Sequence, residues 1–178
     1  MSDVVNKCDA MDSCCEPDYC CDKQRCVLRP NRTALKCGCP GAVTLPLATI
    51  AGTTFNVANI NVDTKNFTNP CIQFQFSSNI VTTAAVITLN LQVFKRCKNQ
   101  LVPVPVGPVW TFSRLVAITD SNTFSFSVCD CDNCDDECCN YSVVATVVGV
   151  ATLGVTAINN ATLTAIVVDN PSESCCRY

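Results

Sequence analysis

The sequence predicts an all-β protein, a β-sandwich or jelly roll of about eight antiparallel strands, with an extended Cys-rich N-terminal arm and a short C-terminal tail. Three observations predict it. Apolar residues recur at every second position in several segments, the mark of strands with one buried face. Gly, Pro and Asn interrupt these segments at the spacing of short strands. No stretch sustains the periodicity of an amphipathic helix.

Residues 1–40 are expected to be the arm. They hold Cys8, Cys14, Cys15, Cys20, Cys21, Cys26, Cys37 and Cys39. Their few large apolar residues (Val4, Val5, Val27, Leu28, Leu35) cannot offset the entropy of ordering an independent core. Residues 41–168 are expected to form the sandwich. Strands are predicted over 42–50 and 53–62. Next, Ile72, Phe74 and Phe76 alternate with Gln73, Gln75 and Ser77, and Ala85, Ile87, Leu89, Leu91 and Val93 form a second run of the same kind. The strand over 102–112 contains Pro103, Pro105 and Pro108; proline cannot donate to a ladder, so this strand belongs at an edge or in an extended connection. Trp110, the single Trp, is expected to anchor the core. Phe124, Phe126 and Val128 mark another strand, and 141–149 and 161–168 two more. The uncharged stretch 141–168 has the length of a membrane helix. Its Val and Thr content, Gly149, Gly154 and Asn159-Asn160 instead predict two buried strands and a turn. Residues 169–178, with Cys175 and Cys176, are expected to be an extended tail.

Composition narrows the function. The chain has no histidine, which excludes Ser–His and Cys–His nucleophiles and the His-containing zinc sites. No nucleophile–base pair or phosphate loop is present, so an enzyme is not expected, nor a cofactor. Net charge is −3, which offers nucleic acid or an anionic membrane no electrostatic attraction. Charged residues make up 15% of the chain, against roughly 25% in ordinary soluble domains. A surface this poor in charge is weakly protected against self-association.

Seventeen cysteines in 178 residues exceed what one core of this size needs for stability. Cys71 and Cys97 stand apart from the clusters and are expected either to pair with each other or to pack as small hydrophobes. The densest cluster is a loop, CDCDNCDDECC, with Cys129, Cys131, Cys134, Cys138 and Cys139. It has two readings. Cys131-x-x-Cys134 and the spacing of Cys134 to Cys138 suit thiolate zinc, although the accompanying acids oppose thiolate formation. Alternatively the cluster is a disulfide knot, and an odd number of thiols must look outside it.

Adjacent doublets, Cys14-Cys15, Cys20-Cys21, Cys138-Cys139 and Cys175-Cys176, favour bridging. Neighbours in an extended chain point in opposite directions, and a bond between them strains the disulfide geometry. The odd total requires an intermolecular bond or a free thiol. Candidates for bonds between subunits are Cys8, Cys14, Cys15, Cys20, Cys21, Cys26, Cys37, Cys39, Cys138, Cys139, Cys175 and Cys176. The expected partner is another copy of the same chain. The first residues carry no apolar stretch of the kind found in secretory signals. In a reducing cytosol the thiols stay free, so disulfides are expected to form after the protein reaches an oxidising place, such as on cell lysis.

The stretches NPCIQFQFSSNI (69–80), PVPVGPVWTFSR (103–114), SNTFSFSVCDCDNCDDECCNYSVV (121–144) and INNATL (158–163) resemble an uncharacterised Cys-rich domain family of anaerobic spore-forming bacteria. The organisation is also similar to that of bacterial endospore appendage subunits, jelly rolls whose N-terminal Cys-bearing connector bonds to neighbouring subunits. That likeness implies a connector role for the arm and a homopolymer on the spore surface, as a fibre or as an exosporium or coat layer, with other spore-surface proteins as further candidate partners. The rival expectation is a metal-binding protein using Cys129–Cys139.

Overall fold

The predicted alternation becomes six strands: β1 (Thr33–Cys37), β2 (Gly41–Leu45), β3 (Thr54–Asp63), β4 (Pro70–Cys97), β5 (Val104–Asp130) and β6 (Cys138–Asp169). The computed structural model describes residues 32–67, 69–98, 100–131 and 138–169. The sheet begins at Thr33, inside the segment expected to be arm, because β1 pairs antiparallel with the end of β6, Thr33 opposite Val168. The compact unit containing it starts at Asn31.

All pairing is antiparallel. The strand order is β1-β6-β4-β5, with β2 and β3 also on β6. β3 takes the first part of β6, with Asp63 opposite Cys138. β2 and β1 take later parts, at Thr156–Ala161 and Thr164–Val168. β5 pairs with β4 alone and is therefore an edge strand, the position that its prolines predict.

The sequence-predicted pairs 72–77 and 85–93, 102–112 and 124–128, and 141–149 and 161–168 each merge into one long strand. What the turn residues mark is a fold in a continuous ribbon. Trp110 and Phe126 lie on the same strand, and 16 residues of straight strand would separate them by about 50 Å. Instead their rings stack at 4.0 Å with an interplanar angle of 11°. Phe112 and Phe124 likewise meet edge to face at 6.1 Å. The ribbon β5-β4-β6 is thus doubled over into two packed sheets. One holds the first part of β4 with the second parts of β5 and β6, plus β1 and β2. The other holds the second part of β4 with the first parts of β5 and β6, plus β3. This is the predicted β-sandwich.

The bends coincide in all three strands. The β4 register shifts between Thr82 and Ile87 against β5 and between Thr83 and Thr88 against β6. Ala84 sits at φ 45°, Gly149 at 90° and Gly154 at 72°. Local bulges of this kind let a strand change sheets. Thr82 donates to the carbonyls of Ile118 and Asp120, and the Arg114 guanidinium pairs with the Asp120 carboxylate across the β5 bend. Hydrogen bonds from the Asn122 side chain and the Ser121 N–H, followed by the Arg114 charge, hold the Asp120 carboxyl below its usual range. Gly154 is the tightest point: a Cβ there would stand 2.3 Å from the Ala84 carbonyl oxygen and 2.4 Å from that of Thr83. Gly154→Ala is expected to cost at least about 1–2 kcal/mol from the left-handed conformation alone, with the backbone clash added. Urea denaturation at constant m measures it. An unchanged midpoint would mean that the bend is not fixed at this residue.

The core lies between the sheets. Phe74, Phe76, Ile80, Leu89, Leu91, Val93, Val143, Ala145, Ile158 and Leu163 are fully buried. Trp110 is half-buried against it. The uncharged stretch 141–168 lies within β6, and no helix among the described residues is long and apolar enough to cross a membrane.

Candidate cross-linking site

Doubling the ribbon has a direct consequence for the cysteines. With all bends at one end of the sandwich, both ends of β4, β5 and β6 gather at the other. That end carries Cys71, Cys97, Cys129, Cys131, Cys138 and Cys139. The described domain also begins and finishes there, where the Asp169 N–H donates to the Arg32 carbonyl at 3.1 Å.

Two disulfides form, Cys71–Cys131 and Cys97–Cys139, each with Cα atoms 4.1 Å apart. Both join directly opposed residues on neighbouring strands. Cys97 faces Cys139 in the β4–β6 register. Ile72 faces Asp130 in the β4–β5 register, and one further step sets Cys71 against Cys131. Cys71 and Cys97 therefore do not pair with each other, because the fold places them in different sheets. Cys139 is corrected as well: it is buried and bonded within the chain, so of its doublet only Cys138 remains for a bond between subunits.

Cys37, Cys39, Cys129 and Cys138 carry free, exposed thiols. Cys129 and Cys138 stand at the strand-end face on alternating positions. Val128 and Asp130 beside Cys129 point inward, as does Cys139 beside Cys138. Cys37 closes β1 and Cys39 lies in the link to β2. Cys8, Cys14, Cys15, Cys20, Cys21, Cys26, Cys134, Cys175 and Cys176 lie outside the described residues.

For a metal the consequence is chemical. Cys131 and Cys139 are held in disulfides with Cys71 and Cys97 and cannot serve as thiolates, so the cluster loses two of the ligands proposed for it. Among the described residues no group of three His, Cys, Asp or Glu converges on one point. Asp63, opposite Cys138, is held below the usual carboxylate range, chiefly by the Lys65 backbone N–H.

Inside the same end lies a buried polar trio. The Lys95 ammonium contacts Asp130 Oδ2 at 2.8 Å. The Tyr141 hydroxyl donates to that oxygen, also at 2.8 Å. The Tyr141 ring packs 4.3 Å from that of Phe74. Lys95 and Tyr141 are opposed in one sheet, and Asp130 belongs to the other, so the trio bridges the sandwich. Sequence reading passed over these residues, yet the signal was there. Lys95 falls in phase with Leu89, Leu91 and Val93, Asp130 with Phe126 and Val128, and Tyr141 with Val143 and Ala145. Charged groups at buried-phase positions require partners.

The fold and the thiol-bearing end define a class: a disulfide-bonded β-sandwich with jelly-roll-like organisation. Residues 31–168 match a domain of unknown function, DUF4489, and the chain belongs to that family. No curated protein matches it. Among solved structures, the chain is similar to Eiger TNF from S. frugiperda, with 10% identity, 84% of this chain and 99% of that one covered, and a TM-score of 0.49. A chain in the structure of infectious bursal disease virus, Gx strain, gives 9% identity, 80% coverage of this chain and a TM-score of 0.44, and the present chain spans 37% of its length. A carbohydrate-binding module specific for non-crystalline cellulose, CBM28, gives 12% identity, coverage of 58% and 62%, and a TM-score of 0.35.

Proposed function

We propose that this protein is a structural subunit, without enzymatic activity, that assembles with copies of itself and is locked by disulfides between subunits. The observation that carries this reading is the pairing of exposed Cys129 and Cys138 thiols with the chain's entry and exit at one end of a rigid sandwich. The two disulfides among the described residues use four of the chain's seventeen cysteines. Thirteen remain (17 − 4), still an odd number, so at least one must stay free or bond another molecule. The arm with Cys8, Cys14, Cys15, Cys20, Cys21 and Cys26, and the tail with Cys175 and Cys176, supply further thiols for neighbours.

Apolar surface supports the association step. Leu115 and Val116 are exposed at the bend, and Leu101 and Val102 near the opposite end, surface of the kind that a neighbour covers. A contact between unlike ends does not close on itself and extends into a fibre or layer. The setting proposed is the spore surface, on the resemblance to appendage subunits and to a family of spore formers. There thiols made in a reducing compartment meet oxidant when the mother cell lyses. A network of this kind acts through kinetic persistence more than through equilibrium stability.

Electrophoresis of the native assembly, boiled in detergent, tests the reading. Without reductant the material is expected to remain at the top of the gel as a ladder or a retained band. With strong reductant it is expected to fall to the 19.1 kDa monomer. Monomer in both lanes would overturn the proposal.

A further inference from the structure

We propose that Lys95 and Asp130 become joined by an amide bond, an internal isopeptide link that ties the two sheets covalently. The geometry carries the inference. The two side chains are 92% and 96% withdrawn from solvent, at relative exposures of 8% and 4%, with Lys95 Nζ 2.8 Å from Asp130 Oδ2. The carboxyl carbon is one bond beyond that contact. The Tyr141 hydroxyl holds the same oxygen from another side at 2.8 Å, with the Phe74 ring against Tyr141.

The surroundings fix this arrangement. Cys97–Cys139 clamps the strands that carry Lys95 and Tyr141, two residues away from each. Cys71–Cys131 clamps the residue after Asp130. Two reactants held this way have lost their relative freedom in advance, the condition under which effective molarities become very large. A buried ion pair is also a poor stabiliser, since the Coulomb attraction barely repays the desolvation of two charges. The amide removes both charges and keeps a donor and an acceptor.

The reaction needs no oxidant or outside reagent. One proton passes from the Lys95 ammonium to Asp130 Oδ2, which turns two buried charges into two neutral groups. The Nζ lone pair then attacks Cγ and forms the C–N bond. The negative charge of the tetrahedral centre gathers on Oδ1, while the Tyr141 hydroxyl, already donating to Oδ2, holds in place the oxygen that will leave. A second proton leaves nitrogen for Oδ2, the Cγ–Oδ2 bond breaks, and one water departs. Nitrogen keeps one hydrogen as the amide N–H. Water released from an apolar interior into bulk does not readily return, so the product persists.

This link is independent of subunit assembly and of the thiols. It would survive the reductant that dissolves a disulfide network, and it closes the chain from residue 95 to residue 130.

Mass spectrometry of the purified protein, folded, then fully reduced, alkylated and denatured, tests the proposal without any variant. The expected mass is one water below that of the alkylated sequence. Proteolysis is expected to release a single branched peptide that contains both Lys95 and Asp130. Lys95→Met is expected to restore the full mass. The full sequence mass in the wild type, or a missing water that persists in Lys95→Met, would overturn the link.

Discussion

Asp130→Ala is expected to lower the unfolding free energy by about 3–5 kcal/mol, the usual cost of breaking a buried ion pair by removing one partner. The substitution takes away the carboxylate that Lys95 faces at 2.8 Å and the acceptor of the Tyr141 hydroxyl. Lys95 then keeps its charge inside the sandwich without this carboxylate, and a buried ammonium that loses its ion-pair partner is costly. The loss is larger where the amide has formed, because the closed loop is lost with it. The double variant Lys95→Met/Asp130→Leu is expected to recover the desolvation part, since an apolar pair of similar volume often matches or exceeds a buried ion pair. Urea denaturation with disulfides intact measures all three proteins. A single variant within about 0.5 kcal/mol of wild type, the range of ordinary surface changes, would show that the trio does not brace the sheets.

Phe74→Ala is expected to cost about 3–5 kcal/mol, the range for emptying a buried aromatic site. Phe74 is fully buried and its ring meets Tyr141 of the opposite sheet at 4.3 Å. Both facing sheets are regular ladders, so the gap cannot collapse without shifting one of them. Leu101→Ala serves as the comparison: Leu101 is 97% exposed, and its replacement is expected to change stability by less than about 0.5 kcal/mol. Equal midpoints for the two variants would mean that the sandwich interior is not packed through Phe74.

The individual strands were legible because each has one buried face, and alternation survives wherever a face is buried. Their continuity was not. Gly149, Gly154 and Asn159-Asn160 carry the same positive-φ signal whether the chain reverses or merely bulges; Asn160 sits at φ 53° within β6. Only the pairing of β4 with β6 along its whole length separates the cases. β1 was missed because Leu35 and Lys36 are exposed and the strand has little alternation to offer. The disulfides illustrate the same limit. Cys71 and Cys131 are 60 residues apart, and nothing local announces that the start of β4 meets the end of β5. The trio, in contrast, was readable: a lysine in the buried phase of a strand is itself the signal.

The position of the chain's two exits sets how the domain bears load. Tension between Arg32 and Asp169 acts on antiparallel neighbours at the same end. Their hydrogen bonds lie across the strands and would open one at a time, so pulling through arm and tail peels β1 and the end of β6 at low force. Peeling stops where the covalent ties begin, at Cys71 from one side and Cys139 from the other. Tension delivered through Cys129 or Cys138 enters inside that tied block and spares the ladder. In the proposed assembly each subunit would therefore extend through its outer strands first, and hold its length afterwards through a core that cannot be drawn out.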